Sequence, residues 1–194
     1  TIRVPTQVKI WSGADALAQA VESFTSLGSN HLTDALAFES FRLIAGSIEE
    51  IAHGTDEIEP HVAMADGSML AGIALANARL GAVHGVAHPM GVRYRIPHGL
   101  CCAILLTPVM RFNEPVVREK YERLSVVVHA PVIEWIGDLF RRMGIPPDFR
   151  GCRIPRSDVD ILIRESLPSG SLKANPRPVS ATDLTEILCA ILPD

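Results

Sequence analysis

At 194 residues, with 47% hydrophobic and 21% charged side chains, the chain can bury a substantial core as one large domain or at most two small ones. Its formal charge of −4 gives no basis for nucleic acid or an anionic membrane surface as a partner. Four cysteines (Cys101, Cys102, Cys152 and Cys189) form neither CxxC pairs nor an even disulfide framework, so a reducing cytoplasm is the expected compartment.

The elements read almost wholly as helices, and the expected fold class is all-α. Only Arg3 to Ile10 suggests a short alternating strand. Ser12 can cap a helix from about Gly13 to Phe24, with Leu17, Ala20, Val21 and Phe24 on its apolar face. Asn30 or Thr33 opens a longer helix toward His53, closed by Gly54. From Ile58 to Gly81, Ala and Gly are so frequent that the helix is expected at the centre of the bundle, with Pro60 in its first turn.

A short helix near His84 leads into a loop from Gly91 to Pro97, and an apolar helix then runs from His98 to Phe112. Four amphipathic helices follow, at about 114–128, 131–143, 157–166 and 181–192. Ser157 with Asp160 and Ser180 with Asp183 resemble capping boxes, Gly144 with Pro146 and Pro147 stops a helix, and Asn175 to Pro178 is a rigid spacer. Thr1 to Ile10 reads as neither a secretory leader nor a transit sequence. The longest apolar stretch, Gly99 to Met110, is short for a bilayer span and contains Pro108, so no membrane association is expected. The non-Met start, and a helix carrying reactive residue types almost at once, suggest a fragment or processed domain.

Two constellations carry chemistry. His84 and His88 share a helix face four residues apart, and the Gly- and Pro-containing loop can fold His98 back toward them. Neutral imidazoles converging from two segments suit a divalent transition metal. Asp15, Gln19 and Glu22, at i, i+4 and i+7, line one face of the first helix. Asp15 and Gln19 sit among Ala and Leu, and a buried carboxylate needs a cation or several donors. A solvated polar face and hydrogen-bonded core histidines are the bland alternatives. His31, His53, His61 and His129 lie beside charged or turn residues and read as surface histidines, and the neighbouring Cys101 and Cys102 as small core residues.

These strings resemble a known family. Gly13-Ala-Asp-Ala-Leu-Ala-Gln-Ala-Val-Glu22 is similar to the G-x-D-A-L-x-H-A-x-E helix of iron-containing (group III) alcohol dehydrogenases. Gly81 through Gly91 follows G-x-V-H-G-x-A-H-P-x-G, and Tyr94-Arg-Ile-Pro-His-Gly99 follows Y-x-x-P-H-G. Pro108 to Asn113, Met143 to Pro146 and Asn175 to Pro178 also match, so the resemblance covers nearly the whole chain.

The resemblance implies the helical-bundle half of a dehydroquinate synthase-like, iron-dependent alcohol dehydrogenase fold, as a single domain over 1–194. It implies Fe²⁺ or Zn²⁺ held by Asp15, position 19, His84 and His98, and His88 near the nicotinamide as a proton-relay group. Position 19 is Gln where the motif has His, a poorer ligand. Nothing resembles a strand–Gly-loop–helix unit for NAD(P), so the nucleotide-binding half is expected to be absent and the chain alone inactive or nearly so. With that half, a nicotinamide cofactor and a small alcohol or aldehyde are the expected partners, and a homodimer fits the hydrophobic composition. A metal-independent reductase of the maleylacetate type and a non-catalytic helical module are the rival readings.

Overall fold

A computed structural model describes residues 3–192. Among them are ten α-helices and no strand: α1 (Thr6–Thr25), α2 (His31–Ala45), α3 (Ile48–Ala52), α4 (Ile58–Ala78), α5 (Ala82–Tyr94), α6 (His98–Val128), α7 (Val132–Arg142), α8 (Val159–Ser166), α9 (Gly170–Lys173) and α10 (Ala181–Ile191). The all-helical expectation is met, and the differences lie in where helices begin, break and bury.

The suggested strand is instead the first turn of α1, which starts just after Pro5 rather than at Ser12. A lone strand has no sheet to pair with, whereas these residues extend an existing helix at one hydrogen bond per residue. Ser12, inside the helix, turns its hydroxyl back to the Val8 carbonyl at 2.8 Å. Both candidates for the start of α2 take part: Asn30 caps it and Thr33 returns a bond to the Asn30 amide, a reciprocal capping box. The expected long second helix breaks at Gly46 and Ser47 into α2 and α3, and Gly54 (φ +85°) ends the unit.

The centre of the bundle is α1, not α4. Ala14, Leu17, Ala18, Ala20, Val21 and Phe24 are buried, and α1 packs on α2, α3, α4 and α6. Its alanines keep the helix thin enough for neighbours on every side. By contrast, α4 buries one row (Gly67, Ala71, Ala74 and Ala78) and leaves Ile58, Val62, Met69 and Ile73 exposed along another. A small-residue helix therefore packs closely on one face without being enclosed.

The two helices expected at 98–112 and 114–128 run end to end as α6, with the break between them at Val117 (φ −128°, ψ 21°), just after Pro115, rather than at Asn113. This helix has the length and apolarity of a bilayer span, but half of the apolar window is buried inside the protein. Near the kink Arg177 donates to the Phe112 carbonyl at 2.8 Å and lies over the Phe112 ring. The Ser180–Asp183 capping box forms at the start of α10, whereas Asp158 stands at the start of α8 with no side-chain cap. His61 is a correction: it is buried, with Nε2 3.1 Å from the Thr55 carbonyl oxygen.

Candidate metal centre

Three helices meet at the expected residues. Asp15, Gln19 and Glu22 come from α1, His84 and His88 from α5, and His98 from the first position of α6. The turn between α5 and α6 is only three residues long, with Arg95 in the left-handed region (φ 55°) and Pro97 starting α6. That reversal folds His98 back onto His88, whose ring it stacks against at 5.1 Å between centroids and 11° between planes. The approach of α6 to α1 depends on Gly99: a β-carbon there would stand 2.1 Å from the Trp11 carbonyl oxygen. Only glycine lets the two backbones come this close.

His84 is the pivot. Its Nδ1 lies 2.7 Å from Glu22 Oε2, and its Nε2 lies 3.2 Å from Asp15 Oδ1. His98 Nε2 is 3.6 Å from the same Asp15 oxygen. Gln19 donates from Nε2 to the other oxygen, Asp15 Oδ2, at 3.0 Å. The amide thereby holds Asp15 with Oδ1 toward the two imidazoles.

Two residues have roles that the sequence did not assign: Glu22 was placed on the Asp15 face without one, and Cys102 was read as a small core residue. Glu22, 4% exposed, also accepts from the Val83 amide at 2.6 Å, at the open N-terminus of α5. There the helix dipole favours a negative charge. Asn175 accepts from the neighbouring Ala82 amide and pairs both ways with Asn113, so the two distant asparagine motifs lock α5 and α6 together. A side chain on Gly81 would collide with both caps, 2.8 Å from Glu22 Oε1 and 2.9 Å from Asn175 Oδ1.

The second is Cys102, with Sγ 3.4 Å from His98 Nε2 and 3.7 Å from His84 Nε2. The ligand atoms of Asp15, His84, His98 and Cys102 all lie within 4.8 Å of one another. The available signals were Glu22 seven residues after Asp15 and Cys102 four after His98, each on the same helix face.

The electrostatics suit a cation. Burial alone would push the His84 pKa down, but its contacts with Asp15, Cys102 and Glu22 outweigh this and push it up. Burial likewise opposes ionisation of Asp15, yet His84, Cys102 and His98 hold its carboxyl below the ordinary range. Two carboxylates thus stabilise one positive charge between them. His88 and His98 are lowered, first by burial and then by neighbouring imidazoles, which favours their neutral forms. Exposure is graded across the site: His84 and Glu22 close its floor, while His88 and the 38%-exposed His98 side chain open it to one face.

Comparisons with known proteins show the family. The sequence model of the Fe-containing alcohol dehydrogenase family, C-terminal, matches residues 9–192. Lactaldehyde reductase of Escherichia coli (strain K12) is 33% identical over 95% of this chain and 51% of its own length. The 1,3-propanediol dehydrogenase of Citrobacter freundii is 33% identical over 94% of this chain and 50% of its own.

The chain therefore spans about half the length of these curated relatives. A solved 1,3-propanediol oxidoreductase superposes with a TM-score of 0.95 at 31% identity, over 99% of this chain and 53% of that one. The maleylacetate reductase of Rhizobium sp. strain MTP-10005, 21% identical, shares the fold with a TM-score of 0.88, over 98% of this chain and 54% of that one.

Proposed function

The chain belongs to the Fe-containing alcohol dehydrogenase family as its C-terminal part, and on that footing we propose that it is the metal-binding half of a nicotinamide-dependent alcohol dehydrogenase or aldehyde reductase. It forms one helical domain that works with a nucleotide-binding half holding NAD(P). The observation that carries this reading is the convergence of Asp15, His84 and His98 from three helices.

The donor set fits a divalent ion. Oxygen and imidazole ligands suit Fe²⁺ or Zn²⁺, and Glu22 takes the Nδ1 side of His84 so that Nε2 faces the cluster. Asp15, His84 and His98 would hold the ion, while the Gln19 amide, bonded through Nε2 to Asp15 Oδ2, orients that carboxylate. When bound, such an ion acts as a Lewis acid toward a carbonyl or alkoxide oxygen.

The remaining work belongs to the chain's own groups. Gln19 and Glu22 fix Asp15 and His84 in place. His88, exposed at the rim, accepts the proton of an alcohol at a ring nitrogen during oxidation and donates it to the product during reduction. A nicotinamide held by the other half would supply or accept the hydride. The named relatives act on small aldehydes and diols, which supports a short-chain alcohol or aldehyde as substrate.

One observation favours the metal-independent alternative. The hydrogen bond from Gln19 to Asp15 supplies a neutral partner for that carboxylate without a metal. Both readings are tested by joining the chain to a relative's nucleotide-binding half and following NADH oxidation with lactaldehyde, before and after chelation. The metal-dependent reading predicts turnover that chelation abolishes. It also predicts that His88→Asn lowers kcat by about 10²–10⁴-fold while metal content stays unchanged. Turnover that survives chelation identifies the metal-free reductase, and a folded, metal-loaded assembly with no turnover identifies a non-catalytic module.

A further inference from the structure

We propose that Cys102 is a metal ligand, replacing the one lost at position 19, so that the centre is an Asp–His–His–Cys set suited to zinc. This rests on the metal-binding reading above and specifies which side chains serve it.

Where the resembling motif carries a histidine, this chain has an amide whose Nε2 donates to Asp15 Oδ2 at 3.0 Å. That oxygen is not the one facing His84 and His98, so the amide is engaged on the outer side of Asp15. Cys102 is on the inner side. It lies one helical turn after His98 on the same face of α6, and its thiol is fully buried. Cys101, equally buried, is about 100° further round the helix axis and has no place in the cluster.

Four of the six ligand–ligand distances agree with a single tetrahedral centre, and all of the ligand atoms lie within 4.8 Å of one another. Zinc bonds of about 2.05 Å to nitrogen and 2.3 Å to sulfur, at tetrahedral angles, separate N and S by about 3.6 Å. Cys102 Sγ stands 3.4 Å from His98 Nε2 and 3.7 Å from His84 Nε2. The corresponding separation between nitrogen and a carboxylate oxygen is about 3.3 Å. Asp15 Oδ1 is 3.2 Å from His84 Nε2 and 3.6 Å from His98 Nε2. A core cysteine selected only for volume would turn its sulfur toward apolar atoms, whereas this one is aimed at two imidazoles.

Coordination releases the thiol proton to solvent, leaving sulfur as the thiolate. With Asp15 that places two negative charges on a divalent ion and makes the inner shell neutral. A histidine at position 19 with no thiolate would leave it with one positive charge. Thiolate is a soft donor, so the substitution shifts preference from iron toward zinc.

The test is the near-ultraviolet spectrum of the purified chain loaded with Co²⁺, together with zinc affinity by chelator competition. Neither measurement requires turnover. The proposal predicts a thiolate-to-cobalt charge-transfer band that persists in Gln19→Ala and Cys101→Ser and vanishes in Cys102→Ser. It also predicts that Cys102→Ser weakens zinc binding by about a hundredfold, as loss of one ligand of four.

The unmodified chain decides the matter even if a variant fails to fold. Cobalt bound without the band overturns the Cys102 assignment and leaves the metal-binding reading standing. No uptake of cobalt or zinc overturns both. A band that is retained in Cys102→Ser assigns the thiolate elsewhere and also overturns the proposal.

Discussion

Glu22 shows how much of the site rests on a residue that touches the cluster only through another. Its carboxylate fixes the His84 tautomer and caps α5 in the same stroke. Glu22→Gln keeps an acceptor for the Val83 amide but removes the charge facing His84. It should weaken metal binding by about 10–100-fold with helicity intact, as read by chelator competition and circular dichroism; equal affinity would reduce Glu22 to a cap.

At this scale the sequence was legible where spacing alone brings groups together, as for His84 with His88 and for Asp15 with Gln19. It was silent on which atom faces which. Cys102 sits in the run Leu100 to Leu106, where hydrophobicity predicts burial correctly but hides that one buried face of α6 is polar. His61 misled in the opposite sense, since charged neighbours in sequence say nothing about a ring tucked against the Thr55 carbonyl.

Helices place these groups only because their backbones approach closely, and the α1–α6 contact is the tightest point. At Gly99 a methyl group would meet the backbone of Trp11 rather than a movable side chain. Gly99→Ala must push the first turn of α6 outward, carrying His98 with it. The expected cost is at least about 2 kcal/mol, the range of an overpacked core, measured by urea denaturation. Metal affinity should fall as well, and an unchanged midpoint would show that the contact is soft.

Element types were legible from periodicity, while boundaries were decided by forces that a local reading omits. The segment from Thr6 to Ile10 is helical because α1 already exists to extend, and α6 continues past Asn113 to its break at Val117, with the Phe112 carbonyl bonded by Arg177, 65 residues away in sequence. The asparagine pair was visible as two motifs, yet nothing local said that Asn113 and Asn175 bond to each other.

For the whole molecule, a bound metal would bear on how the helices hold together. Asp15, His84 and His98 belong to three helices of one hydrophobic core, so an ion shared among them ties α1, α5 and α6 together. A ligand at about 100 times its Kd adds about 2.7 kcal/mol to stability, and chelation should therefore lower the melting temperature of the intact chain. The helical architecture followed from composition and pattern, but the exposed row of Ile58, Val62, Met69 and Ile73 did not. A run rich in alanine and glycine predicts close packing without saying on how many sides. The open face at His88 and His98 is the surface through which the proposed nicotinamide-binding half would complete the site.

Whether Asp15, His84 and His98 hold a metal is tested by elemental analysis of the purified chain after exposure to Fe²⁺ or Zn²⁺ and removal of excess. Near-stoichiometric metal is expected, and it should be lost in Asp15→Ala and His84→Ala variants that remain helical. A folded chain that retains no metal under any loading condition, or an Asp15→Ala variant that retains it in full, would rule out a metal centre at these residues.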